Sequence, residues 1–88
     1  MELYKSVIRR YLSEYACSLR EKRGLTQAEM AERLRITERA YSDLERGVYC
    51  FSTVPLVSLL LMLKSDEFEE FIEPLRGEIA KLEAGEVA

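Results

Sequence analysis

The side chains whose types and spacing suit chemistry lie between Thr26 and Arg46, and what they offer is hydrogen bonding rather than bond making. Thr26-Gln27-Ala28-Glu29 opens one helical pattern. The Thr26 hydroxyl can accept from a backbone N–H three residues on while Glu29 reaches back, a capping box. Such a helix start offers free N–H groups and positive dipole to an anion, and Gln27 adds a side-chain amide. Thr37 opens a second pattern. At 100° per residue, Arg39, Ser42, Asp43 and Arg46 fall on the face opposite Tyr41 and Leu44, with Glu38 beside them in the first turn. Catalysis has no comparable support. Histidine is absent, which removes the commonest general base and the commonest zinc ligand. There is no glycine-rich phosphate loop and no nucleophile–base spacing. Cys17 and Cys50 are far apart in sequence and read as two reduced thiols of a cytoplasmic protein. Neither a metal, a cofactor nor a small-molecule substrate is expected.

The elements that position these groups are helices. With 88 residues, 48% of them hydrophobic, and only 4 Gly and 2 Pro, the chain suits one all-α domain, not a β-sandwich. Leu3, Val7, Ile8, Tyr11, Leu12, Tyr15 and Leu19 recur at helical spacing. They predict a long first helix, with a break conceivable near Ser13, ended by Lys22, Arg23 and Gly24. The helix opened at Thr26 runs to about Leu34 and buries Met30, Ala31 and Leu34. The next runs from Thr37 to Gly47 and buries Tyr41 and Leu44. Two short helices, a tight turn and a closing glycine make a helix-turn-helix unit. Ser52 or Thr53 caps a fourth helix with Pro55 in its first turn. Leu56, Val57 and Leu59 to Leu63 leave that helix almost no polar face, so its own domain or a partner must surround it. Ser65-Asp66-Glu67 starts a fifth helix, which Pro74 is expected to interrupt or kink, giving five to six helices in all. Phe68, Ile72, Leu75, Ile79 and Leu82 form a short coiled-coil-like seam, and Glu83 onward reads as frayed. The uncharged run Val48–Leu63 is too short and too interrupted to span a membrane, and no secretion signal is visible at the N-terminus.

From about Leu12 to Leu63 the chain resembles the helix-turn-helix domain of the lambdoid phage repressor and Cro (Xre) family. The likeness is carried by Leu19-Arg20-Glu21-Lys22-Arg23-Gly24-Leu25-Thr26-Gln27, Met30-Ala31, Leu34, Ile36-Thr37 and Leu44-Glu45-Arg46-Gly47. It implies a five-helix core whose third helix, about 37–46, enters the major groove of double-stranded DNA. It implies that Glu38, Arg39 and Asp43 read bases, with Ser42 on the same face. An arginine can bond guanine O6 and N7 together, and a carboxylate can accept from cytosine N4. It implies further that Gln27 holds a phosphate, with Thr26 and Arg46 grouped with it, and that Arg20 pairs structurally with Glu45. On the residues alone other roles stay open. Glu38 can complement the helix dipole, Arg39 and Asp43 can form an exposed i,i+4 pair, and Gln27 can be a plain surface residue.

Three positions depart from the family pattern. Arg35 stands where the turn usually has glycine, and a left-handed L-residue there costs roughly 1–2 kcal/mol. Tyr41 replaces a small branched residue in the core of the third helix. The loop Val48-Tyr49-Cys50-Phe51-Ser52 has no Lys or Arg, so fewer phosphates would be neutralised.

The net charge of −3 is unevenly spread. Residues 1–46 hold ten of the thirteen Lys/Arg and eight of the sixteen Asp/Glu, while 47–88 hold three basic and eight acidic groups. The first half is therefore the part suited to a polyanion. The expectation is one domain over 1–88, with a helix-turn-helix core over 12–63 and a helical extension over 64–88. It is read as a cytoplasmic transcriptional regulator that binds operator DNA, as a homodimer joined through surfaces outside the helix-turn-helix. The alternative is a protein–protein interaction module on the same fold, an antirepressor or an assembly subunit.

Overall fold

Five helices make up the computed structural model, which describes residues 2–87 (side chains through Gly85): α1 (Glu2–Lys22), α2 (Gln27–Arg33), α3 (Glu38–Glu45), α4 (Thr53–Leu61) and α5 (Ser65–Val87). No strand occurs among the described residues. The architecture is an all-helical bundle, as the periodicity predicts.

α1 runs unbroken for 21 residues. Ser13 does not break it, because the buried hydroxyl donates to the Arg10 carbonyl at 2.9 Å and so is satisfied within the helix. The ends of α1, α2 and α3 share one solution. In each, the residue after the cap takes a left-handed conformation and two N–H groups turn back onto the last carbonyls. Gly24 (φ 65°) and Leu25 bond the carbonyls of Glu21 and Arg20. Gly47 (φ 76°) and Val48 bond those of Leu44 and Asp43. Between them Arg35 (φ 64°) and Ile36 bond Glu32 and Ala31. The chain thus makes the same turn three times, twice with glycine and once with arginine.

The starts are equally specific. Thr26 and Glu29 form the complete capping box of α2, and the Thr37 hydroxyl accepts from the Ala40 N–H at the start of α3. Ser52 caps α4 through its backbone conformation only, with Pro55 in the first turn. Pro74 lies inside α5 without ending it, so the described residues form five helices, the lower of the expected five to six. A proline removes one hydrogen bond and crowds one carbonyl. The good helix formers on both sides of Pro74 carry the helix past that local cost. The helix also continues beyond Glu83 to Val87.

The core gathers Leu12, Ala16 and Leu19 of α1, Met30, Ala31 and Leu34, Tyr41 and Leu44 of α3, and Leu59 of α4. Two aromatic anchors complete it, Phe51 from the α3–α4 loop and Phe71 from α5. Phe71 shifts the expected seam. Phe68 stays exposed, while Phe71 packs edge-on against Tyr15 (ring centroids 4.8 Å apart) and beside Tyr11 (5.7 Å). The Tyr11 hydroxyl donates to the Phe71 carbonyl. These contacts fold α5 back onto α1, with Ile72 and Leu75 partly buried against the core. α4 is only half covered: Val54, Val57 and Leu61 remain exposed.

The arginine in the second of the three turns generates a stability prediction. Arg35→Gly should relieve the left-handed strain and lose part of that gain to the freer unfolded chain, a net stabilisation of about 0.5–1 kcal/mol. Urea denaturation checks it; a loss of stability would mean that the Arg35 side chain supplies more than its backbone costs.

Candidate nucleic-acid interface

Behind the exposed face of α3 sits one carboxylate that ties three helices together. Glu45, the last residue of α3, accepts from Arg20 Nε at 2.8 Å, Arg20 Nη2 at 3.0 Å, Gln27 Nε2 at 3.0 Å and the Tyr41 hydroxyl. Two carboxylate oxygens offer about four lone-pair positions, and all are engaged. Arg20 spends its remaining nitrogen on the Leu25 carbonyl at 3.0 Å, at the turn into α2. Only 9% of the Glu45 side chain and 18% of the Arg20 side chain reach solvent. Burial pushes the Glu45 carboxyl up, but the bonds from Arg20, Tyr41 and Gln27 outweigh it and hold the group at about 2. Burial, reinforced by Glu45, raises the Tyr41 hydroxyl, so it remains a donor. Burial and the nearby Glu45 also raise the Cys17 thiol, which makes it a poorer thiolate than a free cysteine.

This arrangement accounts for Tyr41. A small branched residue would fill part of the same space, but the phenol fills it completely, with no exposure, and carries a hydroxyl to Glu45. It also bears on Gln27. One amide N–H goes to Glu45, while the other and the carbonyl oxygen remain for a second partner. The capping box occupies the N–H groups of Thr26 and Glu29. It leaves those of Gln27 and Ala28 at the open end of α2.

Outward from the hub, Glu38 and Arg39 are exposed, and Ser42 and Asp43 are half-buried. Asp43 pairs with Arg46, three residues on, and not with Arg39. Arg39 therefore makes no ion pair among the described residues. The Asp43–Arg46 pair is largely open at Arg46, 64% exposed, and such pairs contribute about 0–1 kcal/mol, so a polyanion can exchange for it cheaply. Arg39 and Asp43 line an open groove together with Tyr49 and Cys50 of the α3–α4 loop. Val48 and Tyr49 of that loop are exposed.

A second charged cluster has no counterpart in the motif reading. Glu67, buried in the first turn of α5, accepts from the Lys64 N–H at 3.0 Å, Arg23 Nη2 at 2.6 Å and Lys22 Nζ at 3.1 Å. Arg23 also reaches the Met62 carbonyl at 3.1 Å. The end of α1 is thereby clamped to the α4–α5 junction. The Lys64 N–H, then Arg23 and Lys22, hold the Glu67 carboxyl at about 2. The sequence signal was available, since Glu67 lies three residues after Lys64, in capping-box register.

The chain matches the helix-turn-helix family over residues 18–66, more than half its length, and belongs to that family, in its lambda repressor-like (Xre) form. Neither the curated proteins nor the solved structures give a match to it. The match spans the Arg20–Glu45 hub and all of α2, α3 and α4, and leaves most of α1 and most of α5 outside. No helix among the described residues is long and apolar enough to cross a membrane, and no cluster of ligands suited to a metal occurs among them.

The two depressed carboxyls set the acid response. Each binds its proton more weakly folded than unfolded, so its contribution is complete above about 4.5 and is lost as pH falls toward about 2. Glu45→Gln should remove part of that dependence. At neutral pH it should cost about 3 kcal/mol, because Arg20 keeps its desolvation without its counter-charge. Denaturant titrations of both proteins at pH 7 and pH 3 test this; a loss at pH 7 no larger than that of an exposed pair would contradict it.

Proposed function

We propose that the chain is a sequence-specific transcriptional regulator that binds operator DNA through α3. The observation that carries this reading is the division of α3 into two faces. The inner face is locked to α1 and α2 through Glu45 and Tyr41, while Glu38 and Arg39 stand exposed on the outer one. A reading head needs side chains whose backbone cannot drift. In this role Arg39 takes a guanine edge, and Glu38 and Asp43 accept from exposed base amines, with Ser42 between them. The open end of α2 takes a phosphate on the Gln27 and Ala28 N–H groups and the second Gln27 amide hydrogen, beside Thr26. Arg46 leaves Asp43 for a neighbouring phosphate. The role is binding without turnover, in the cytoplasm where the DNA lies.

The regulator acts as a homodimer on a two-fold site, which places two copies of α3 in successive major grooves. Exposed Val54, Val57 and Leu61 on α4 and Phe68 on α5 supply the apolar surface for it. The packing of Phe71, Ile72 and Leu75 within one chain narrows that interface to α4 and the outer side of α5. Exposed Val48 and Tyr49 favour a second reading, a protein–protein module on the same fold, because a loop set for phosphates would carry cations there.

Selection of bound sites from random duplexes at low salt separates the two. A recovered palindrome supports the regulator, and flat binding supports the module. On the selected site, Arg39→Ala should relax discrimination at one base by about 1–3 kcal/mol, whereas Gln27→Ala should weaken all duplexes alike. Unchanged preference and affinity in both variants would remove α3 as the reading element. Light scattering at micromolar concentration should give twice the 10.2 kDa chain mass; the single-chain mass would overturn the dimer.

A further inference from the structure

We propose that α1 carries a second DNA-backbone site, in which Arg9 and Arg10 join Arg46 to hold neighbouring phosphodiesters outside the bases that α3 reads. The proposal rests on the reading of α3 as the DNA-facing helix. A groove runs between the N-terminal half of α1 and the end of α3, with Arg9 and Arg10 on one wall and Arg46 and Gly47 on the other. The helices approach closely at its floor, where a Cβ placed on Gly47 would lie 3.7 Å from the Ser13 hydroxyl. Arg46 belongs both to this groove and to the exposed side of α3, so the groove continues the proposed interface without a gap.

The charges around it favour an anion. Two acidic residues, Glu14 and Glu45, also line the groove. The Glu45 carboxylate is saturated by its four donors and neutralised by Arg20, which leaves Glu14 as the opposing charge. Arg9 and Arg10 enter no ion pair among the described residues, and Arg46, itself exposed, holds only Asp43. Guanidinium forks match phosphate oxygens in pairs. The placement also answers the bare α3–α4 loop. Val48 to Ser52 carry no cation, and the groove brings two arginines from α1 to the root of that loop. Both lie before residue 18, so the family match assigns them nothing.

The test uses the full chain and the duplex recovered by selection. Arg9→Gln with Arg10→Gln should weaken binding to selected and unrelated duplexes alike, by roughly tenfold to a hundredfold near 0.1 M salt. It should lower the slope of log affinity against log salt by about 1.8, that is, two phosphates at about 0.9 each. Base preference should stay unchanged. Arg76→Gln with Lys81→Gln, the same charge change on α5, should leave the slope as it was. Ethylation interference with the unsubstituted chain reads the site without any variant, and should mark phosphates flanking the half-site. An unchanged slope and no flanking interference would overturn this inference and leave the regulator standing. Failure of the unsubstituted chain to bind any duplex would overturn both.

Discussion

A buried carboxylate must find a hydrogen-bond donor for each of its lone pairs, and the arrangement of α1, α2 and α3 follows from how Glu45 does so. Its four donors come from three helices. None of the three can shift without leaving a largely buried charge short of its donors, and that cost exceeds the worth of any one bond. Apolar packing around Met30, Leu34 and Leu44 is non-directional and would tolerate small rotations of α3. The carboxylate does not. It converts a well-packed bundle into one with a defined register between the scaffold and the exposed face of α3.

The same hub explains the apparent oddities of the chain. Tyr41 is a large residue at a buried helical position because its hydroxyl is one of the donors. Gln27 is shared between the inside of the protein and the open end of α2, so a phosphate arriving there would meet an amide already oriented by Glu45. The Glu67 clamp holds the same end of α1 from the side of α5. It fixes the C-terminus of α1 to α5, and Phe71 closes the gap that α5 would otherwise leave. The long first helix is thus held at its C-terminal end by Glu45 and Glu67 and along its middle by Phe71 against Tyr11 and Tyr15.

Much of the fold was legible because local signals agreed with one another. The Thr26–Glu29 capping box, the Thr37 cap and glycines at 24 and 47 each bound a helix, and the left-handed residue at Arg35 follows from the turn between two of them. Less was legible where geometry in three dimensions decides. Tyr41 and Gln27 lie 14 positions apart in sequence, and nothing in either pattern says that both reach one carboxylate. Phe51 sits in a stretch with no helical period, so its burial had no signal. Phe71 lies three positions from Phe68, and on a helix that short step is a rotation of about 60°, enough to exchange an inward for an outward side chain. Pro74 was expected to interrupt or kink the last helix, and the interruption does not occur because the local penalty is set against the helix formers around it.

In the candidate site, the residue types on α3 were readable and their pairing was not: Asp43 faces Arg46, which leaves Arg39 without a carboxylate partner. The measurement that most directly tests the central claim, that the Glu45 hub presents the outer face of α3 to DNA, is amide chemical-shift mapping of the isotope-labelled chain titrated with duplex. The account predicts shifts concentrated at Gln27–Ala28 and Thr37–Arg46, with the Arg20 side-chain N–H signal still bonded to Glu45 throughout. Shifts confined to the Val48–Ser52 loop, α4 and α5, with α3 unmoved, would contradict it.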